Sequence, residues 1–289
     1  MTNVTFDFDD GKGPVPAHRH VNGGGWVSDS AEVSGNAEVS GNAQVYGNAR
    51  VYDSARLYDS ARVYGNAEVS GSAWVYGNAQ VYGNAQVSGS AQVYGNAQVS
   101  GNAEVYGNAE VYGNAHASSN AHASSNARVY GNTLVYGNAR VSDSARVYGN
   151  AEVSGSAQAY GNAQVYDSAW VYGSARVYGN AHASSNARVY GNARVYGNAQ
   201  VYGNARVYGS ARVSGSARVE RSPTSIIGLE YNVTIYADFA QVGCKLYKIS
   251  EWYAFSLAEV KSFDGEKALA FYPKLVSLLN ALGYGGNEK

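Results

Sequence analysis

Cysteine and methionine occur once each in 289 residues, proline four times, and only 15% of the residues are charged. A single cysteine cannot make an internal disulfide, so no covalent staple holds the fold. No apolar run approaches the roughly 18 to 20 residues that a membrane helix needs. The opening MTNVTFDFDD is acidic where a secretory leader is basic and then apolar. Together these absences lead us to expect a soluble protein of a reducing compartment with no membrane partner. An excess of one sign of charge is also missing. With 21 Lys and Arg against 22 Asp and Glu, the net charge is −1, which argues against nucleic acid as a partner.

What the chain has instead is Gly, 35 times, and Tyr, 26 times, set in a period of six. From Val27 to Val219 there are 33 consecutive hexads without insertion or deletion. The first position is Val except at Leu57, Ala117, Ala123, Ala159 and Ala183; four residues later, from Ala31 to Ala217, stands Ala, with Thr133 the one exception. Each unit reads V-Y-G-N-A-x, with Ser replacing Tyr and with Asp-Ser, Gly-Ser or Ser-Asn replacing Gly-Asn. A helix is excluded, because six is out of phase with 3.6 and a Gly in every unit costs about 1 kcal/mol each time. In A-x-V the two small residues lie on one side of an extended segment, and the Gly-Asn pair, tolerant of positive φ, turns the chain after it. Stacked coils of such strands make a parallel β-solenoid whose ends need covers over their unpaired edges.

These units resemble the hexapeptide-repeat left-handed parallel β-helix family. That resemblance implies three hexads per coil, hence about 11 triangular coils in a prism about 50 Å long at strand spacing. It also implies association of prisms side by side, most often as trimers. The expected architecture is an all-β solenoid over residues 27–221, an N-terminal cap over 1–26, and a small α+β domain over 222–289.

If a coil is 18 residues, the Tyr after each Val sorts by face. Tyr58, Tyr76, Tyr94, Tyr112, Tyr130, Tyr148 and Tyr166 form an unbroken outward column, with shorter ones at Tyr160, Tyr178, Tyr196 and at Tyr172, Tyr190, Tyr208. Such rings stabilise a sheet when stacked and suit a subunit or ligand interface when exposed. The position before Val starts mixed, with Glu32, Glu38, Glu68, Glu104 and Glu110 among Arg50, Arg56 and Arg62, and ends basic, with Arg176, Arg188, Arg194, Arg206, Arg212 and Arg218. Arg176, Arg194 and Arg212 are 18 apart, which places three guanidinium groups in one column able to grip phosphate or carboxylate groups. Trp74 and Trp170 share this register on different faces and are read as partner contacts.

Catalytic signals are weak. His116, His122 and His182 fall on three different faces, which rules out a metal site shared by all three within one prism. Acyltransferases of the resembled family carry a loop from an interrupted coil; here no coil is interrupted, so no general base gains a cleft. We therefore expect no enzyme activity and no cofactor or metal. At the N-terminus His18, Arg19 and His20, beside Gly23, Gly24, Gly25 and Trp26, are a candidate anion or metal site, although two histidines are too few for a closed zinc site and a lid over the first coil is the competing reading. Asp7, Asp9 and Asp10 read as solvated.

After Ser222-Pro223 the composition changes. Val233–Tyr236, the region of Gln241 and Val242, and Lys245–Tyr247 alternate like strands about a bend at Gly243. Ser256-x-x-Glu259 opens one helix, and residues 266–282 form another, with a kink at Pro273. Cys244 is expected to be buried in the core of this domain. The segments A-H-R-H-V-N-G-G-G-W, G-C-K, E-W-Y-A-F and A-L-A-F-Y resemble hexapeptide-repeat proteins of bacteriophage and prophage genomes. That resemblance implies a protein acting in the cytoplasm of a bacterial host, or carried in the virion. Three functions remain open from sequence: a scaffold presenting a rigid surface to a host or phage protein and so able to block a host defence, a sequestering module for a small anionic nucleotide-like ligand, and an acyltransferase.

Overall fold

A computed structural model describes residues 4–226 and 228–284. From Trp26 to Val219 one short strand falls in every hexad, and each pairs in parallel with the strand 18 residues away. Three sheets result. The first face runs from Trp26–Ser28 to Arg206–Val207, the second from Glu32–Val33 to Arg212–Val213, and the third from Glu38–Val39 to Arg218–Val219. The second and third faces have 11 strands each. Three hexads therefore close one coil, the step that periodicity left open.

The register is uniform: Val69 pairs with Val51 and Val87, and Ala123 with Val105 and Val141. Inside, the Val and Ala columns are closed to solvent, with relative exposures of 0% at nearly every position from Val39 to Val213. Thr133 is as buried as the Ala it replaces, and its Oγ1 has no hydrogen-bond partner.

The corners divide their work differently from the expectation that Gly and Asn both supply positive φ. Positive φ falls on the residue two after Val, whether Gly65 at 72°, Asp53 at 61° or Ser119 at 61°. A Cβ on Gly65 would meet the backbone N of Gly83 at 3.1 Å, so the stacked corners favour Gly. Where Asp stands there, its carboxylate offsets the strain by accepting a neighbouring N–H, as Asp53 does from Gly71 at 3.0 Å. Asn does something else: its amide builds ladders up the corners, such as Asn66 to Asn84 at 3.1 Å and Asn84 to Asn102 at 3.0 Å.

Both ends are covered. β1 (Thr5–Phe6) and β2 (Val15–Arg19) add antiparallel to the first face, and β2 was not foreseen from sequence. The turn behind them closes the first coil, with Gly25 N–H donating to the Val39 carbonyl at 2.7 Å. At the other end an antiparallel sheet of Thr224–Ile226, Val233–Tyr236, Phe239–Val242 and Lys245–Lys248 lies against the last coil. Tyr236, Phe239 and Leu246 join the solenoid core, while Val233, Ile235 and Ala240 face the helices. α1 (Ile249–Ala254) was missed in the sequence reading. α2 (Leu257–Ala281) starts at the expected Ser256–Glu259 capping box and breaks at Asp264 and Gly265, where the expected second helix begins at residue 266, but helical dihedrals continue through Pro273 in place of the expected kink. Gly265, at φ 59°, takes a conformation that ends a helical run for most other residues. Cys244 is exposed, which corrects the expectation of a buried core thiol. Among the described residues no helix is long and apolar enough to cross a membrane.

Candidate binding surface

The residue before Val and the residue after it both point outward, so each face carries two parallel columns. On the third face the second column is the run of seven tyrosines, and neighbouring rings stack at 4.7 to 5.1 Å with planes within 9°. Tyr160, Tyr178 and Tyr196 stack on the second face, and Tyr172, Tyr190 and Tyr208 on the first. The sequence reading passed over a fourth column, Tyr46, Tyr64 and Tyr82, stacked at 4.9 and 5.0 Å; the same 18-residue step would have found it. Phe8, from outside the repeat, stacks on its end at 4.7 Å from Tyr46.

Phenols also tie to the neighbouring column in the next coil, as Tyr64 donates to Gln80 at 3.1 Å and Tyr148 to Gln164 at 3.0 Å. Burial in the stacks, aided by the adjacent phenol, raises the pKa of Tyr58, Tyr64, Tyr112, Tyr148 and Tyr178 above the ordinary tyrosine value. Tyr46, 6% exposed, is pushed up to about 12, chiefly by burial and then by Tyr64.

Arg176, Arg194 and Arg212 stand in register on adjacent strands of the second face, as their spacing predicted. Among the described residues none of them has a carboxylate within ion-pair distance, and the same holds for Arg188, Arg206 and Arg218. The N-terminal arginines are paired: Arg50 lies between Glu32 at 3.8 Å and Glu68 at 3.7 Å. From 168 to 219 the sequence has six arginines and no carboxylate, whereas from 27 to 112 it has eight carboxylates and three arginines. Charge therefore separates along the rod.

Trp74 on the third face and Trp170 on the first are both exposed, and each sits beside a guanidinium, Arg56 at 5.6 Å and Arg188 at 4.9 Å. His116, His122 and His182 stand in three different sheets, as their spacing required. The N-terminal candidates do not converge on a shared point. His18 pairs with Asp29 at 3.0 Å, Arg19 donates to the Gly24 carbonyl at 2.8 Å and lies over Trp26, and His20 Nδ1 is 3.1 Å from the Asn22 carbonyl. Each is taken up within the cap. In the C-terminal domain a hollow of about 310 Å³ is lined mainly by apolar side chains, among them Trp252, Val260, Phe263 and Phe271, with Cys244, Lys245 and Asp264 also at its wall.

Against known families, the YdcK beta solenoid repeat matches residues 43–59, 61–77, 79–95, 135–147, 145–161, 157–173, 187–200 and 199–215. The first three matches begin 18 residues apart, the length of one coil. The chain is a β-solenoid repeat protein. Comparison with curated proteins finds no match for it. The YdcK likeness falls wholly within the solenoid and leaves both caps outside.

Proposed function

We propose that this β-solenoid is a non-enzymatic scaffold that presents its exterior to a macromolecular partner in a bacterial cell, a host or phage protein, and can act by blocking a host defence. One observation carries the reading. The interior is filled by closed columns of Val and Ala, with Leu57 and Thr133 the two other residues in them, and no loop leaves the repeat to form a cleft, so recognition is left to the columns outside. The third face, with seven stacked tyrosines and exposed Trp74, is the surface best suited to a protein partner.

Proximity labelling in cells compares the wild-type chain with a variant in which Tyr94, Tyr112 and Tyr130 are serine. A partner labelled by the first and lost from the second supports the reading. Acetyl transfer by the purified protein, with binding of acetyl-CoA, overturns it in favour of an enzyme.

A second reading, sequestration of a small anionic ligand, draws on Arg176, Arg194 and Arg212 beside Tyr178 and Tyr196. Thermal shift with a nucleotide panel tests it: a rise in Tm that Arg194→Ala abolishes supports it, and no shift with any nucleotide removes it.

A further inference from the structure

Read in coil order, the column before Val on the second face is Glu32, Arg50, Glu68, Gln86, Glu104, His122, Arg140, Gln158, Arg176, Arg194 and Arg212. Turned end for end about its middle member, His122, the column complements itself. Glu32 comes opposite Arg212, Glu68 opposite Arg176, and Glu104 opposite Arg140, while Gln86 meets Gln158. One position breaks the pattern, Arg50 opposite Arg194, and there the structure already holds Arg50 between Glu32 and Glu68. Three unpaired guanidinium groups thus face a triad whose net charge is −1, with Asp53 beside it lining the same shallow hollow.

The second column of this face obeys the same reversal, now in size. Reversed, Tyr178 comes opposite Ser70, Tyr160 opposite Ser88, and Tyr106 opposite Ser142, so a ring meets a hydroxymethyl at each of these levels. Only Tyr52 and Tyr196 meet ring to ring.

We infer that the second face is a homodimer interface, joining two copies of this chain with their rods antiparallel about a two-fold axis that runs along the strand His122–Ala123. An axis in that direction keeps each column facing its own counterpart in the other copy, which is the opposition described above. Every contact then occurs twice, as an isologous interface requires. Parallel pairing instead brings the acid-free coils of both copies to the same height, six arginines of this face together. Ten steps at about 4.8 Å and a face about five residues wide give roughly 50 by 16 Å, or about 800 Å² per partner, the size of a standard stable interface. The inference goes beyond the scaffold reading and stands without it, because it concerns a different face and names its own occupant.

The test is charge exchange followed by sedimentation. The wild-type chain is expected to sediment at twice its 30.5 kDa mass, and its dissociation constant is expected to rise at least about tenfold between 50 mM and 0.5 M salt. One variant carries Glu32→Arg, Glu68→Arg and Glu104→Arg; a second carries Arg140→Glu, Arg176→Glu and Arg212→Glu. Each alone is expected to be a folded monomer by circular dichroism, and a mixture of the two is expected to restore the dimer. Orientation is read separately with Glu68→Cys and Arg176→Cys, each in a Cys244→Ser background. Mixed under oxidation they crosslink if the rods are antiparallel; in a parallel pair the two sites are six coils apart, about 29 Å. A wild-type monomer or trimer, a dimer that survives either set of reversals, variants that fail to associate when mixed, or absence of the crosslink overturns the inference.

Discussion

Replacing Tyr112 by Ser removes the middle ring of the longest stack, and replacing Tyr166 removes its last. Serine is a fair substitute because Ser40 and Ser184 already occupy the same column on this face. Tyr112 has Tyr94 at 4.7 Å and Tyr130 at 4.8 Å, both with nearly parallel planes. Tyr166 has one such neighbour, Tyr148 at 5.0 Å, and an edge contact with His182 at 6.1 Å. Tyr112 carries a ring on both sides and Tyr166 on one, so the two losses should differ by at least the second stacking contact, about 0.5–1.5 kcal/mol beyond the ring area it covers. Tyr112→Ser should therefore lower the urea midpoint more than Tyr166→Ser does, by that amount after multiplication by the slope. A double-mutant cycle on Tyr94 and Tyr112 should return a coupling of the same size. Equal losses at the two sites, with no coupling in the cycle, would show that the rings contribute only as separate hydrophobic cover.

Alkali should weaken the rod. The buried phenols have folded pKa values above 10, so their stabilisation is complete below pH 10 and is lost as pH rises through the folded values, up to about 12 at Tyr46. Two pH units at Tyr46 correspond to about 2.7 kcal/mol, reduced to about 1–2 by water reaching the ring edge; Tyr46→Phe should lose less Tm than wild type between pH 9 and pH 11.5. Thr133→Val removes a buried hydroxyl with no partner and keeps the volume, and should raise stability by about 1–2 kcal/mol in urea melts. Deleting residues 86–103, one whole coil, should leave the tyrosine near-UV signal intact. Deleting only 98–103 keeps the Val and Ala pattern but rotates every later coil by one face, and should diminish that signal with strand content unchanged.

How much of this was legible from sequence depended on where the period ran. Val and Ala two residues apart placed the core correctly over the solenoid, and the 18-residue step placed the Tyr58–Tyr166 and Arg176–Arg212 columns, once a resemblance supplied three hexads per coil. The period did not say how Gly and Asn divide the corner. That needs φ values, and it is the Gly, Asp or Ser position that takes the positive ones. Outside the repeat a residue's neighbours are no longer given by counting. Phe8 reaches the Tyr46 stack from a segment with no periodic signal, and Cys244 follows the bend at Gly243 into an exposed position although apolar strands surround it. Pro273 drew a predicted kink because proline lacks an N–H, yet the helix runs through it, and the interruption at Asp264 and Gly265 falls at the boundary already expected between the two helices, just before residue 266.

The outward positions hold the information that folding does not require. The site before Val accepts Glu, Arg, Gln, Trp and Leu with the Val beneath it equally closed, as at Glu68, Trp74, Gln80 and Leu134, and His122 stands over an equally closed Ala123. The core therefore does not dictate which of these stands in which coil. Within a single rod the order on the second face is even unfavourable at one end, since Arg176, Arg194 and Arg212 lie side by side across parallel strands, and like charges so placed destabilise a sheet. Interspersing the available glutamates would remove that cost without touching a core contact. They stand instead at Glu32, Glu68 and Glu104, the levels that reversal of the column brings against arginine. An arrangement that is costly in the free rod and complementary in a reversed pair is what a surface shaped by its own copy would carry.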